Sequence, residues 1–490
     1  MNLSMIRFIL GSVLKLYALF LLLPILTSLI YREDTLYVYL GVAVFSLLLG
    51  ILSTLRKPKN QVFYLKEGCV ATALSWILLS IFGALPFYFT GEIPFFIDAV
   101  FETTSGLTTT GSSILSDVEA ISRTSLIWRS FTNWIGGMGV LVFLLAIIPM
   151  SGGSNINLMK AESPGPSVGK LVPKIRYTAR ILYLIYIGMS VVMLLLLLLG
   201  KMPFFDALCT TFSTAGTGGF GIKNNSLAGY SPYLIWITGI FMVLFGVNFN
   251  AYYLILFHQV KKALKLEEIR CYFGIIAIST LIIFINLLRS GMESFDSLTH
   301  AFFQVSSIIT TCGFSTADFD LWHESSKMIL VLLMFAGACA GSTAGGLKIS
   351  RILILTKTIK KELTSYIHPK SIVKIKMDEK TVEPEVVKSS NVYFSTYIII
   401  FALSLLIISF DGKDFTTTFT SVVTTINNIG PGLGAVGPTA NFGHFSPLSK
   451  IIFCFDMLVG RLELFPMLML FHPELWRETF HTKKIKQKTP

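Results

Sequence analysis

The chain has 490 residues, of which 53% are hydrophobic and 14% charged, with a mean hydropathy of +0.69 and a formal charge of +12. Soluble domains carry about a quarter charged residues, so the composition excludes a water-soluble globular protein. The basic balance does not signal nucleic acid, because no connection interleaves its charges with aromatics on a folded module.

A membrane span needs ~20 mostly apolar residues. Ten stretches qualify, at roughly 7–30, 36–55, 69–90, 125–149, 178–200, 232–257, 271–288, 326–356, 391–410 and 446–472. The first two predict a helical hairpin over 1–60. Its leading apolar run is too long for a signal-peptide core and lacks a clear small-residue cleavage site, so it reads as a retained helix. Four units follow, at about 67–149, 178–260, 271–362 and 390–472, each a long helix, a short half-helix, a polar turn and a second long helix. A tail over 473–490 ends the chain. No long polar domain remains. The expected fold is an all-α polytopic membrane protein, with four membrane–pore–membrane units in pseudo-fourfold arrangement plus an N-terminal two-helix hairpin.

The connections 56–67, 150–180, 258–270, 351–389 and 472–490 hold 27 of the 40 Lys and Arg. The alternate connections hold 8, against 15 Asp and Glu. This alternation follows the positive-inside rule and places both termini in the cytoplasm. The six cysteines (Cys69, Cys209, Cys271, Cys312, Cys339, Cys454) are scattered without a C-x-x-C pair, so neither a metal site nor a disulfide framework is implied.

The half-helices resemble one another. They read DAVFETTSGLTTTG from Asp98, DALCTTFSTAGTGG from Asp206, DSLTHAFFQVSSIITTCG from Asp296, and FTTTFTSVVTTINNIG after Asp414. Their closing glycines are 108, 94 and 117 residues apart, and all four segments fall in the acidic connections. They are too short and polar to span, and non-helical backbone at membrane depth is tolerated only where protein or a water-filled cavity surrounds it. Each leading Asp is expected to cap its half-helix. The negative C-terminal ends then point inward at a permeating cation.

Aligned on those glycines, the turns are Thr108-Thr109-Thr110-Gly111, Gly216-Thr217-Gly218-Gly219, Thr310-Thr311-Cys312-Gly313 and Asn427-Asn428-Ile429-Gly430. Extended backbone can offer carbonyl oxygens in place of an ion's hydration shell, and glycine enters backbone conformations that a Cβ forbids. The turns contain no carboxylate, which favours a monovalent ion. The candidate filter residues are Thr109, Thr110, Gly111, Thr217, Gly218, Gly219, Thr311, Cys312, Gly313, Asn428, Ile429 and Gly430.

On these turns, and on WRSFTNWIGGMGVLVF (128–143), AGSTAGGLKISR (340–351) and VGRLELFPML (459–468), the chain resembles the Trk/Ktr/HKT superfamily of potassium transporters, most closely its bacterial TrkH branch. The resemblance covers nearly the whole chain. It implies a homodimer with one pore per protomer and, with all four filter glycines present, a preference for K⁺ over Na⁺. It also implies a cytosolic ring of TrkA-like subunits that bind NAD(H) and ATP, and residence in the bacterial cytoplasmic (inner) membrane. The chain itself has no nucleotide motif, so it is expected to hold no cofactor beyond the transported K⁺. Two departures, Cys312 before the third glycine and Pro431 after the fourth, leave the K⁺/Na⁺ ratio open.

Below the turns, Gly337 to Gly346 is small and glycine-rich, which favours a break in the eighth span. The resemblance makes this an intramembrane gating loop, with Gly337, Gly341, Ser342, Thr343, Gly345, Gly346 and the following Lys348 as its candidate residues. The resemblance also places Arg461 beneath the filter as a barrier to cations. A structural pairing of Arg461 with Glu463 or Asp456 is the alternative. Trp128-Arg129 is expected to be an interfacial anchor. Two other function classes stand beside K⁺ conduction. A secondary transporter for another small solute would show inverted repeats, whereas these four run in parallel. A membrane enzyme would need paired carboxylates, a nucleophile–base pair or metal ligands, and the sequence offers none. Coupling of K⁺ to H⁺ or Na⁺ stays open.

Overall fold

The computed structural model describes residues 1–58, 64–139, 175–371 and 373–477. The end of the fourth expected span, most of the basic connection 150–180 and the tail from 478 lie outside the described residues. The architecture is almost wholly helical. Leu3–Phe20 and Leu22–Tyr31 run nearly as one and pair with Leu36–Thr54 as the N-terminal hairpin. Tyr17 ties this hairpin to the next helix by donating its hydroxyl to the Phe82 carbonyl (2.9 Å).

Each unit opens on a long helix: Leu65–Phe89, Ile175–Leu199, Glu267–Arg289 and Pro384–Ile408. A short helix follows: Phe96–Leu107, Phe204–Ala215, Ser294–Ile309 and Phe415–Ile426. Among the described residues, six helices are long and apolar enough to cross a membrane, or seven if Pro232–Phe245 and Phe249–Leu256, bent by 91°, count as one.

The ten expected spans are therefore not ten continuous helices: the break expected after Gly337 is present, and the second helices of the other units are interrupted as well. Arg123–Met138 ends at Gly139, Pro232–Phe245 turns sharply after Gly246, Glu324–Ala336 ends at Gly337, and Pro447–Arg461 ends before Phe465–Met469. The backbone at three of these breaks is left-handed, at Gly139 (φ +80°), Gly337 (φ +66°) and Glu463–Leu464 (φ +59° and +68°), which an α-helix cannot continue through. The helix of the third unit resumes as Ile349–Ile367. The connection beyond it carries a small antiparallel hairpin, with Lys376 opposite Thr381.

Carboxylates from two connections close the free N–H groups at one helix start. Glu33 accepts from the amides of Arg123 (2.9 Å) and Thr124 (3.0 Å), and Glu92 accepts from that of Ser122 (2.8 Å). The hairpin and the first unit are thereby fixed to each other beside the first short helix.

Candidate functional site

The leading aspartates of the short helices do not all cap as expected. Only Asp414 is an N-cap, accepting from the Thr417 amide at 3.0 Å. Asp98, Asp206 and Asp296 are the third residues of their helices. From there Asp98 pairs with Lys450 (2.7 Å) and Asp206 accepts from the Tyr230 hydroxyl (2.8 Å). An acidic side chain in the first turn still complements the helix dipole.

At the other end the four short helices close identically. The amides of Thr110, Gly218, Cys312 and Ile429 reach back to the carbonyls of Ser105, Ser213, Ser307 and Thr424 at 2.8–2.9 Å. Those of Thr109, Thr217, Thr311 and Asn428 reach Gly106, Thr214, Ile308 and Thr425 at 2.9–3.3 Å. This pair of bonds is the Schellman motif, whose left-handed position glycine usually fills. Here it holds Thr109, Thr217, Thr311 and Asn428, at φ +53° to +56°. A β-branched residue there is a true outlier, costing about 1–3 kcal/mol each. Such strain persists only where the surroundings over-determine it, and it concentrates at functional sites.

The four turns meet. A β-carbon on Gly111 would collide with the carbonyl oxygen of Gly218, one on Gly219 with that of Cys312, and one on Gly313 with that of Ile429. One on Gly430 would stand 2.9 Å from that of Thr110. Each closing glycine therefore lies against the carbonyl preceding the next closing glycine, and the series returns to its start. The glycines have φ of +81°, +66°, +88° and +101°, so conformation and close approach both require the missing side chain. Ser112 adds a bond across the ring, donating to the Gly430 carbonyl at 3.0 Å.

Beneath the ring lies the segment between Ala336 and Ile349. Gly337 and Gly346, both left-handed, face each other, since a β-carbon on Gly337 would sit 3.0 Å from the Gly346 Cα. The Gly345 amide donates to Thr311 Oγ1 (2.7 Å), and Thr217 Oγ1 lies 3.3 Å from Thr343 Oγ1. Gly341 accepts from the Phe249 amide (3.0 Å), and Ser342 Oγ donates to the Cys339 carbonyl (2.7 Å). Lys348 donates to the Ala344 carbonyl. Arg461 donates to the Thr343 and Gly137 carbonyls, each at 2.7 Å, and to that of Gly136. Its alternative partners are engaged elsewhere, Glu463 by Arg351 and Asp456 by the Ser404 hydroxyl (2.7 Å).

The TrkH cation transport protein family matches residues 37–480. The chain belongs to this family. The Trk system potassium uptake protein TrkH of Salmonella typhimurium is 36% identical over 488 residues, covering 98% of this chain and 100% of that protein. The corresponding TrkG of Escherichia coli K12 is 34% identical, covering 97% and 100%. The crystal structure of the potassium transporter TrkH from Vibrio parahaemolyticus superposes with a TM-score of 0.87 at 31% identity, covering 97% of this chain and 100% of that one. TrkH-family proteins are transporters rather than enzymes.

Two features of this TrkH-family chain escape the sequence reading. Trp128 and Arg129 are only 1% and 2% exposed, so they are not an interfacial anchor. Arg129 instead forms a buried ion pair with Glu102 (2.7 Å) and donates to the Gly221 carbonyl (3.1 Å), with its guanidinium 4.2 Å from the centre of the Phe220 ring. Glu102 accepts from Ser113 Oγ (3.0 Å) and the Ile114 amide (3.0 Å). The pair therefore grips the chain just after the first and second glycines of the ring. The other feature is Glu268, buried at the start of its helix. It accepts from the Ala340 amide (2.6 Å) and the Ser350 amide (3.2 Å), and so holds both sides of the segment beneath the ring. An acidic residue among the charges of 258–270 gave no hint of this. A Glu nine residues before the first glycine, with an Arg in the next helix, was the available signal for the pair.

Proposed function

We propose that this chain carries potassium into the bacterial cell through a path lined by the four turns, with the segment between Ala336 and Ile349 as its gate. The closed ring of glycines carries this reading. Four peptide segments of one geometry, brought edge to edge, offer uncharged oxygens from Thr110, Gly218, Cys312 and Ile429 at one level. Neutral oxygens replace the water of a weakly hydrated monovalent cation without trapping it. The left-handed residues Thr109, Thr217, Thr311 and Asn428 offer side-chain oxygens one step further in.

The relatives' names place them in a Trk system, which supports a chain that works with other Trk components; the family resemblance extends this reading to a homodimer in the inner membrane on a cytosolic TrkA-like ring that binds NAD(H) and ATP. The unit boundaries at 67–149, 178–260, 271–362 and 390–472 belong to the same proposal. Purified chain in liposomes tests it. ⁸⁶Rb⁺ uptake is expected to be suppressed by external K⁺ and far less by Na⁺, and equal suppression by both ions would refute the filter.

Arg461 is a barrier in this scheme. Its guanidinium is held under the ring by the carbonyls of Thr343 and Gly137. Repulsion between two unit charges at partly hydrated depth is on the order of 1 kcal/mol or more. Arg461→Gln is therefore expected to raise ⁸⁶Rb⁺ flux by at least about five-fold, read in the same liposomes. Flux equal to the parent's would remove Arg461 from the path.

A further inference from the structure

The four left-handed side chains beneath the ring are equivalent in backbone but not in their bonds. Thr109 Oγ1 and Asn428 Oδ1 are buried without a hydrogen-bond partner. The Asn428 amide is not simply reversed, because its nitrogen donates to Thr110 Oγ1 (3.0 Å) and to the Met457 carbonyl (2.9 Å). The other two oxygens are committed to the segment below. Thr311 Oγ1 accepts from the Gly345 amide (2.7 Å), and Thr217 Oγ1 lies between the Gly216 carbonyl (2.6 Å) and Thr343 Oγ1 (3.3 Å). Two members of one symmetric set are thus unsatisfied, and two hold the gate.

An unsatisfied buried oxygen costs about 1–3 kcal/mol, and a cation among the four side-chain oxygens of this level relieves that cost at Thr109 and Asn428. An amide N–H aimed at Thr311 Oγ1 presents positive charge to the same oxygen and weakens it as a cation ligand. By linkage, whatever lowers ion affinity at this level is itself weakened by the ion, to the same factor.

Resting on the conduction reading above, we propose that the transported ion is also an opener. A monovalent cation at the level of Thr109, Thr217, Thr311 and Asn428 competes with Gly345 for Thr311 and releases the segment beneath. The loop is then latched to the filter rather than merely lodged under it, and Thr311 is a positioning residue for the gate as well as an ion ligand.

The test places a reporter on the loop. Ser342 is half-buried, so Ser342→Cys allows the rate of modification by a water-soluble thiol reagent to be followed, with the background of the native cysteines subtracted. In the full-length chain in liposomes, K⁺ is expected to raise that rate by about five-fold, the factor one net hydrogen bond contributes to an equilibrium, and Na⁺ to raise it less. Thr311→Val, which deletes the acceptor, is expected to react fast without K⁺ and to respond little to it. Thr311→Ser, which keeps the hydroxyl, is expected to behave as the parent. A parent rate indifferent to K⁺ would overturn the latch, as would a Thr311→Val profile matching the parent. If Thr311→Val does not fold, the K⁺ responses of the parent and of Thr311→Ser decide alone. ⁸⁶Rb⁺ flux on the same liposomes separates the two ideas. K⁺-selective flux with a flat labelling rate sinks only the latch, whereas flux without K⁺ selectivity sinks both.

Discussion

Gly219→Ala is expected to remove selective potassium uptake while leaving the chain folded in the membrane. The new methyl group would overlap the Cys312 carbonyl oxygen, and Gly219 sits at φ +66°. Left-handed backbone costs a non-glycine residue about 1–2 kcal/mol, and overpacking a filled site typically adds about 1–3 kcal/mol. The ring has little room to yield, because each turn is anchored behind by its own Schellman bonds and the next contact, Gly313 against the Ile429 carbonyl, is equally close. The carbonyl that must move is a proposed ion ligand, so the strain appears as lost selectivity before lost fold. Growth of a K⁺-uptake-deficient bacterium at low K⁺ should fail, and ⁸⁶Rb⁺ uptake by the purified variant should fall at least about ten-fold, the factor of 1.4 kcal/mol that the smaller of these costs approaches. Gly221→Ala is the matched control. Its nearest neighbour to a new β-carbon is 3.5 Å away, in ordinary contact, so its uptake should stay near the parent's. Equal uptake by both variants would show that the ring does not contact the ion.

Much of this site was legible because glycine is where backbone geometry leaves its mark on sequence. Gly111, Gly219, Gly313 and Gly430 must be glycine, and their recurrence after similar short helices marked the four turns. The left-handed residues two positions earlier left no such mark, since Thr109, Thr217 and Thr311 carry a residue type that shuns that conformation. Their placement is imposed by the Schellman closure and the crowding of the ring. The repeated leading Asp located the half-helices but misjudged the starts of three of them. Asp98, Asp206 and Asp296 sit inside the first turn because Phe96, Phe204 and Ser294 already begin the helix. Composition marked the break after Gly337, where a run of small residues follows, but not the turn at Gly246, which apolar residues flank so that hydropathy runs unbroken across it. Trp128-Arg129 was misread for a related reason. A Trp–Arg pair near a helix start matches an interfacial anchor locally, and its true partner, Glu102, belongs to another helix.

That buried pair gives the last expected result. Arg129→Leu should destabilise the chain by about 3–5 kcal/mol, because removing one partner leaves a buried charge uncompensated. Glu102 is fully buried, and the hydrogen bonds it keeps, from Ser113 and Ile114, do not neutralise it. Arg129→Leu combined with Glu102→Gln should recover much of the loss. The carboxamide still accepts from Ser113 and Ile114, and no charge is stranded. The coupling should be about 2 kcal/mol or more, within the range for residues of one network, read from thermal unfolding of the detergent-solubilised variants. Selectivity should not recover with stability. Arg129 also holds the Gly221 carbonyl, two residues past the second ring glycine, and leucine cannot donate to it. The double variant is therefore expected to be nearly as stable as the parent yet to admit more Na⁺ relative to K⁺. Strictly additive single effects would mean the pair does not act as a unit. Full recovery of K⁺ preference would mean that the grip of Arg129 behind the second turn contributes nothing to the filter.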